Sequence, residues 1–161
     1  MRHTITMLVE NKFGVLSRIS GLFSGRGYNI ESLSVGETMD PAYSQMTVVT
    51  SGDDLIIEQI TKQLNKLVDV IKVTDVTEFE HVEREMVLIK VKPKAERKAE
   101  VLSLAGIFRG RVVDSSEDTY TIEVTGDEKK IDAFVNLMTP IGIKELVRTG
   151  KVAILREGMK K

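Results

Sequence analysis

The sequence of 161 residues predicts an α+β fold of two ferredoxin-like βαββαβ domains. In each half, segments with the two-residue period of a strand alternate with segments of helical spacing. The order strand, helix, strand, strand, helix, strand occurs twice, and a polar stretch at residues 79–85 separates the two halves. We therefore predict domains at residues 1–78 and 86–161, each a four-stranded antiparallel sheet with two helices on one face, joined by a junction at 79–85.

The first half opens with a strand at residues 3–9, where polar and apolar side chains alternate. A polar corner at residues 10–14 follows. Apolar residues then recur at helical spacing over residues 15–23, which indicates a helix with one apolar face. Gly25 and Gly27 are suited to end this helix, because glycine readily adopts the conformations found at helix C-termini.

The next strand spans residues 28–35. Its apolar phase slips between Ile30 and Leu33, which indicates a bulge near Glu31 and Ser32. The remaining elements of this half are a strand at 43–50, a helix that Asp53 or Asp54 can cap, and a strand at 70–76.

The second half repeats this order with a different sequence. Pro93 is suited to open its first helix, and Asp127 can cap its second. We expect the first helix to turn one apolar face to the sheet, formed by Ala95, Ala99, Leu102 and Ala105. The predicted strands are residues 86–91, 109–113, 119–124, 143–147 and 152–155.

The composition argues against several classes of protein. The net charge is −1 and aromatic residues make up 5% of the chain, whereas nucleic-acid-binding modules carry basic faces and stacking aromatics. The absence of cysteine excludes disulfides, thiolate metal sites and cysteine nucleophiles. No apolar run resembles a signal peptide or approaches the ~18 residues of a membrane span, so we expect a cytoplasmic protein.

No motif indicates an enzyme. The chain has two histidines, His3 and His81, and neither has companions at the spacing of a metal site or a catalytic triad. We find no nucleophile elbow, phosphate-binding glycine loop or dinucleotide fingerprint. We therefore expect no catalytic residue, no metal ligand and no cofactor in this chain.

The corner between the first strand and the first helix has the composition of a ligand site. A helix N-terminus offers free N–H groups to a carboxylate, and Gly14 permits close approach to the backbone. Asn11 offers an amide that can accept from an ammonium group and can also donate. A structural alternative exists, because Asn11 could merely cap the helix and Gly14 merely turn the chain.

Five segments in order resemble one known family. They are GVLSR (14–18), RGYNIESL (26–33), KQLNKLVDV (62–70), HVERE (81–85) and IFRGRVVD (107–114). The first half resembles an ACT domain, the small amino-acid-sensing module of metabolic enzymes. The whole chain resembles the regulatory small subunits of acetolactate synthase, also called acetohydroxyacid synthase. One departure is Phe13, which stands where many ACT domains have proline.

The resemblance implies a subunit without chemistry of its own. Its partner would be a large catalytic subunit that uses thiamine diphosphate, Mg²⁺ and FAD in the synthesis of valine, leucine and isoleucine. The small subunit would activate this partner and confer feedback inhibition, usually by valine. The resemblance places the effector between two ACT domains. Asn11, Gly14 and Val15 would come from one chain, and Asn29 and Ile30 from the other. Leu16 is added to the site because it lies in the first turn of the helix and is apolar.

Some questions stay open at this level. Val15, Leu16 and Ile30 could line the pocket or belong to the core. Arg109 and Arg111 could form a solvated turn or contact the catalytic subunit. Halves of about 80 residues form marginal cores, so we expect a homodimer. The alternative function is a free-standing ACT-type amino-acid sensor that regulates another enzyme or a transcription factor.

Overall fold

The computed structural model describes residues 1–158, which divide into two compact units. The first unit comprises Met1–Val82 together with the C-terminal residues from Lys151 onward, and the second comprises Glu83–Gly150. This division differs from the predicted boundaries at two points. A strand already begins at His81, inside the predicted junction, and the C-terminal residues belong with the first unit.

The first unit contains a four-stranded antiparallel sheet with strand order β2-β3-β1-β4. This arrangement confirms the predicted βαββαβ order. Its elements are β1 (Arg2–Glu10), α1 (Val15–Gly25), β2 (Ile30–Glu37), β3 (Tyr43–Ser51), α2 (Asp54–Asn65) and β4 (Val70–Asp75).

The core of this unit forms between one face of the sheet and the two helices. The alternation in β1 turns Ile5, Met7 and Val9 toward the helices, and each is at most 2% exposed. The buried residues of α1 are Val15, Ile19 and Phe23, which lie on one face because they are spaced by four residues. The packing of this face against the sheet fixes where α1 begins.

Two local predictions in the first unit are confirmed. The Asp53 side chain caps α2 by accepting a hydrogen bond from the Ile56 N–H at 2.9 Å. The register between β2 and β3 shifts between Ile30 and Ser32, which is the predicted bulge. Asp54 occupies the first turn of α2, where its negative charge is favourable.

The second unit repeats the topology, with strand order β6-β7-β5-β8. A 3₁₀ turn at Ala95–Arg97 precedes its first α-helix. Its elements are β5 (His81–Val91), which begins at the end of the first unit, α3 (Lys98–Ile107), β6 (Arg111–Ser115), β7 (Tyr120–Gly126), α4 (Glu128–Gly142) and β8 (Ile143–Arg148).

In the second unit, the predicted cap of α4 is confirmed and the predicted apolar face of α3 needs correction. Asp127 caps α4 as predicted, by accepting from the Lys130 N–H at 2.9 Å. The apolar face predicted for this helix is correct at Ala105, which is buried, and wrong at Ala95, Ala99 and Leu102, which are exposed. Val101 is buried instead. The 3₁₀ turn has three residues per turn, so it shifts the phase of the side chains before the α-helix begins.

The predicted strand at 152–155 exists but does not complete the second half. Strand β9 (Val152–Leu155) belongs to the first unit, where it packs against β1 and β3. Gly150, at φ 80°, precedes this segment in a conformation that favours glycine. The sheet that contains β5 has the strand order β6-β7-β5-β8, and β9 also pairs with β5, so this sheet has five strands where four were predicted.

Candidate functional site

The predicted corner lies between β1 and α1, where Gly14 occupies the N-cap position of the helix. Gly14 has φ 83° and ψ −8°, the left-handed conformation that glycine adopts without steric cost. The first helical hydrogen bond runs from the Arg18 N–H to the Gly14 carbonyl at 3.0 Å. The backbone N–H groups of Leu16 and Ser17 lie in the first turn, where an α-helix provides no acceptor of its own.

The N-terminus of α1 differs from those of α2 and α4. Asp53 and Asp127 cap those two helices with their side chains, and an acidic residue follows each cap. At α1, the described residues provide no side-chain cap and the first turn contains no acidic residue. The positive end of the α1 dipole is therefore not neutralised by its own sequence, which suits an anionic ligand.

Asn11 does not cap this helix, which excludes the structural alternative for that residue. Its side-chain Nδ2 donates to Glu37 Oε1 at 3.1 Å and to the Pro41 carbonyl at 2.9 Å. Its backbone N–H donates to the Ala42 carbonyl at 2.8 Å. Because both amide hydrogens of the side chain have acceptors, its remaining polar atom is the acceptor Oδ1.

Two cationic side chains flank the corner. Lys12 Nζ lies 2.7 Å from Glu10 Oε2, and this hydrogen bond, with the charge of Glu10, raises the pKa of Lys12 above its ordinary value. Lys12 is therefore charged throughout the physiological pH range. Arg18 reaches back from the first turn and pairs with Asp69 at 2.5 Å. Each cation is thus paired with a carboxylate of the chain, so the two ion pairs leave little net charge beside the N-terminus of α1.

The apolar residues of the corner have different environments. The Val15 side chain is 3% exposed and belongs to the core, so it contributes no surface to this site. Leu16 is 44% exposed and available for contact. Ile30 is half-buried and packs against the core from the first position of β2.

Asn29 and Ile30 form a second group of predicted site residues, at the start of β2. Asn29 is exposed, and its carbonyl accepts a hydrogen bond from Thr50 Oγ1 at 2.7 Å. Ile30 is opposite Thr50 in β3, just before the bulge. We call residues 29 and 30 the second half-site, and Asn11, Gly14 and Leu16 the first half-site.

One chain does not bring the two half-sites together. Strands β1 and β2 are both antiparallel to β3, so they run parallel to each other. The second half-site adjoins Thr50 at one end of β3. Glu10 pairs with Tyr43 at the other end of β3, and Asn11 is the next residue along the chain. Seven residues of strand separate these positions, or about 23 Å.

Two polar residues beside the first half-site, Arg18 and Glu37, were not predicted from the sequence. Arg18 is four residues after Gly14, so helical spacing alone places it over the first turn. Glu37 is 26 residues from Asn11, and only the pairing of β2 with β3 brings it to the corner. No local sequence signal indicates such a contact.

The described residues contain no group of three or more His, Asp or Glu side chains that could hold a metal ion. His3 is buried, with Nδ1 2.8 Å from Asp75 Oδ2, and His81 Nδ1 lies 2.7 Å from the Phe79 carbonyl. Both histidines therefore make contacts within the fold. Among residues 1–158, no helix has the length and apolar character needed to cross a membrane.

Comparisons with known proteins identify the family. Residues 5–72 match the domain described as "AHAS small subunit-like ACT domain", and residues 84–157 match "Small subunit of acetolactate synthase". The chain is 57% identical over 157 residues to the acetolactate synthase small subunit of Aquifex aeolicus, covering 97% of this chain and 82% of that protein. This chain belongs to the family of acetolactate synthase small subunits.

Other relatives agree with this assignment. A probable acetolactate synthase small subunit of Archaeoglobus fulgidus is 56% identical over 160 residues, covering 99% of this chain and 100% of that protein. The crystal structure of the small subunit from Thermotoga maritima superposes with a TM-score of 0.88 at 44% identity, covering 99% of each chain. The resemblance inferred from the five sequence segments is confirmed.

The conformation of Gly14 generates a prediction about stability. Gly14→Ala should lower the free energy of unfolding by about 1 kcal/mol, because an alanine at φ 83° is strained. Gly21→Ala is the matched control in the same helix, where a Cβ meets nothing within 4 Å. The control should stabilise the protein slightly through helix propensity. Urea unfolding measures the free energy of unfolding of both variants. Equal changes for the two substitutions would contradict the left-handed conformation of Gly14.

Proposed function

We propose that this chain works in the cytoplasm as the regulatory subunit of acetolactate synthase, which activates the large catalytic subunit and confers feedback inhibition by valine. The observation that carries this proposal is the uncapped N-terminus of α1 beside Asn11, in a member of the small-subunit family. Thiamine diphosphate, Mg²⁺ and FAD would reside in the large subunit, which performs the chemistry.

The effector's carboxylate would bind at the start of α1. The first-turn N–H groups point along the helix axis and can donate to it, while Gly14 allows the ligand to approach the backbone. Lys12 and Arg18 flank this end of the site, each paired with a carboxylate of the chain. An aspartate cap occupies the corresponding position in α2, so of the two helices of the first unit α1 is the one suited to accept an external anion.

The effector's ammonium group would bind beside Asn11. The Oδ1 atom of Asn11 is an acceptor, and the Glu37 carboxylate lies 3.1 Å from the same side chain. A zwitterion placed here meets donors at one end and acceptors at the other. This arrangement favours a free amino acid over a simple anion or a simple amine.

The second half-site would come from another copy of the chain. Strand β2 lies at the edge of its sheet, and Val35 on this strand is 47% exposed. Antiparallel pairing of two β2 strands would place the start of one beside the end of the other. Asn29 of the second copy would then lie near Glu37, and therefore near Asn11, so that two copies would form two equivalent sites.

The apolar parts of both half-sites fit a small branched side chain. Leu16 is 44% exposed at the first half-site, and Ile30 is half-buried at the second. Contact with both would bury the isopropyl group of valine. Because the ligand contacts both chains, its contacts depend on how the two chains are arranged. It therefore binds more tightly to the arrangement that brings both half-sites into contact with it. A difference of about 1–3 kcal/mol between arrangements is sufficient for typical allosteric control.

Asn11→Ala should weaken valine binding about tenfold or more, because the variant removes an acceptor for the ammonium group and releases the partner Glu37. Isothermal titration calorimetry of the purified subunit measures this change. Asn65→Ala is the matched control, since Asn65 makes a side-chain bond to Thr61 on α2 and lies outside the site. Valine affinity equal to that of the parent in Asn11→Ala would refute the assignment of the first half-site.

The regulatory role makes a separate prediction about activity. The purified chain should form no acetolactate from pyruvate, and its addition to the cognate large subunit should raise acetolactate formation. Valine should reverse that increase in the mixture, and leucine and isoleucine serve as comparison ligands. Turnover by the isolated chain would refute the regulatory role. If the chain changes the activity under no condition, it is instead a free-standing amino-acid sensor.

A further inference from the structure

We propose that the C-terminal residues 151–156, here called the C-terminal clamp, position the second half-site by holding β2 at its bulge. This inference rests on the proposed function for the identity of the ligand, but its structural part concerns the free subunit. It gives the last strand of the chain a role in effector recognition although the clamp lies outside both half-sites.

The clamp lies on the face of the first sheet that points away from the helices. Met46 and Val48 of β3 belong to the core, so Thr47 and Val49 point to the opposite face by alternation. Those two residues are nevertheless only 3% and 1% exposed. Strand β9 packs against β1 and β3, which places it on this face.

Two side chains of the sheet hold the clamp through its backbone. The Lys151 N–H donates to Ser32 Oγ at 3.2 Å, and the Ala153 N–H donates to Thr47 Oγ1 at 3.4 Å. Lys151 is 8% exposed, so its hydrogen bond forms in a largely desolvated place. A buried N–H that loses its acceptor is costly, which makes Ser32 an anchor of the clamp.

Ser32 is also the residue at which β2 resumes its register with β3. The bulge lies between Ile30 and Ser32, and the second half-site lies on its other side. A contact that fixes Ser32 therefore fixes the end of the bulge, and with it the position of Asn29 and Ile30. A side chain two residues away can thus set the geometry of the half-site without touching the ligand.

The other anchors of this region come from within the first sheet. The Thr50 hydroxyl donates to the Asn29 carbonyl, and the Glu31 carboxylate is held by Arg2 Nε at 2.7 Å and by Ser51. The contact of Ser32 is different, because its partner is 119 residues further along the chain. The chain leaves the first unit after Val82 and returns at Lys151, so this contact depends on that return.

The position of the clamp and the binding of valine are thermodynamically coupled in this arrangement. If the clamp favours the geometry of the half-site that binds valine, then valine must stabilise the seated clamp to the same extent. Effector occupancy would thereby be transmitted to the segment through which the chain re-enters the first unit.

The test uses the full-length subunit with the double substitution Ser32→Ala and Thr47→Val, which removes both side-chain acceptors. Hydrogen exchange without ligand should become roughly fivefold faster or more at residues 29–33, because the bulge loses an anchor. Exchange in β4, which lies on the far side of β1 from β3, should stay unchanged. Ser20→Ala with Thr139→Val is the matched control, since these hydroxyls bond only carbonyls of their own helices.

Two further variants separate positioning from loss of folding. Ser32→Ala alone leaves the buried Thr47 intact and should show the same local increase in exchange. Ser32→Thr retains a hydroxyl and should restore the exchange rates of the parent. Unchanged exchange at residues 29–33 in both Ser32→Ala variants would overturn the proposal, as would an increase spread over the whole first sheet.

Calorimetry with valine then tests the link to the effector. The double variant should bind valine about fivefold more weakly or worse, with Ser32→Thr close to the parent. If the double variant binds valine as tightly as the parent although hydrogen exchange at residues 29–33 is faster, the proposed coupling between the clamp and valine binding is wrong. If the parent itself binds no branched-chain amino acid, the proposed function fails, while the ligand-free exchange result still decides whether the clamp positions the half-site.

Discussion

The parallel direction of β1 and β2 is the constraint on which the account of the site depends. Because each strand is antiparallel to β3, Asn11 and Asn29 lie at opposite ends of the sheet, beyond strand positions that are about 23 Å apart along β3. One chain therefore presents two incomplete half-sites. The same geometry makes them complementary, since a second copy that pairs its β2 edge in the antiparallel direction supplies what the first copy lacks. In this account, effector binding requires that the dimer has assembled.

The start of α1 shows how stability is balanced against binding in this chain. Asp53 and Asp127 stabilise their helices by capping, a contribution of about 1 kcal/mol each in typical proteins. At Gly14 this contribution is absent, and the positive end of the helix is left available. A ligand carboxylate would provide the missing acceptor when it binds. In the first unit, the helix without a side-chain cap is thus the one that gains most from an anionic effector.

Local features of the fold were predictable from the sequence, and contacts between distant residues were not. The cap at Asp53 and the bulge beside Ile30 depend on neighbouring residues, so their signals lie within a few positions. The partners of Asn11 and the position of β9 depend on pairing across 26 to 119 residues, which no local pattern encodes. The apolar face of α3 was misassigned because nothing in the sequence indicated the 3₁₀ turn before it.

The most direct test of the central claim uses mixed dimers of Asn11→Ala and Asn29→Ala subunits, purified through two different tags. Each variant alone should bind valine weakly, since both of its sites are damaged. A mixed dimer combines Asn11 of one chain with Asn29 of the other, so one site is intact and the second is doubly damaged. We predict that calorimetry finds one site of parental affinity per mixed dimer. Valine binding as weak as in either variant alone would contradict a site shared between two chains.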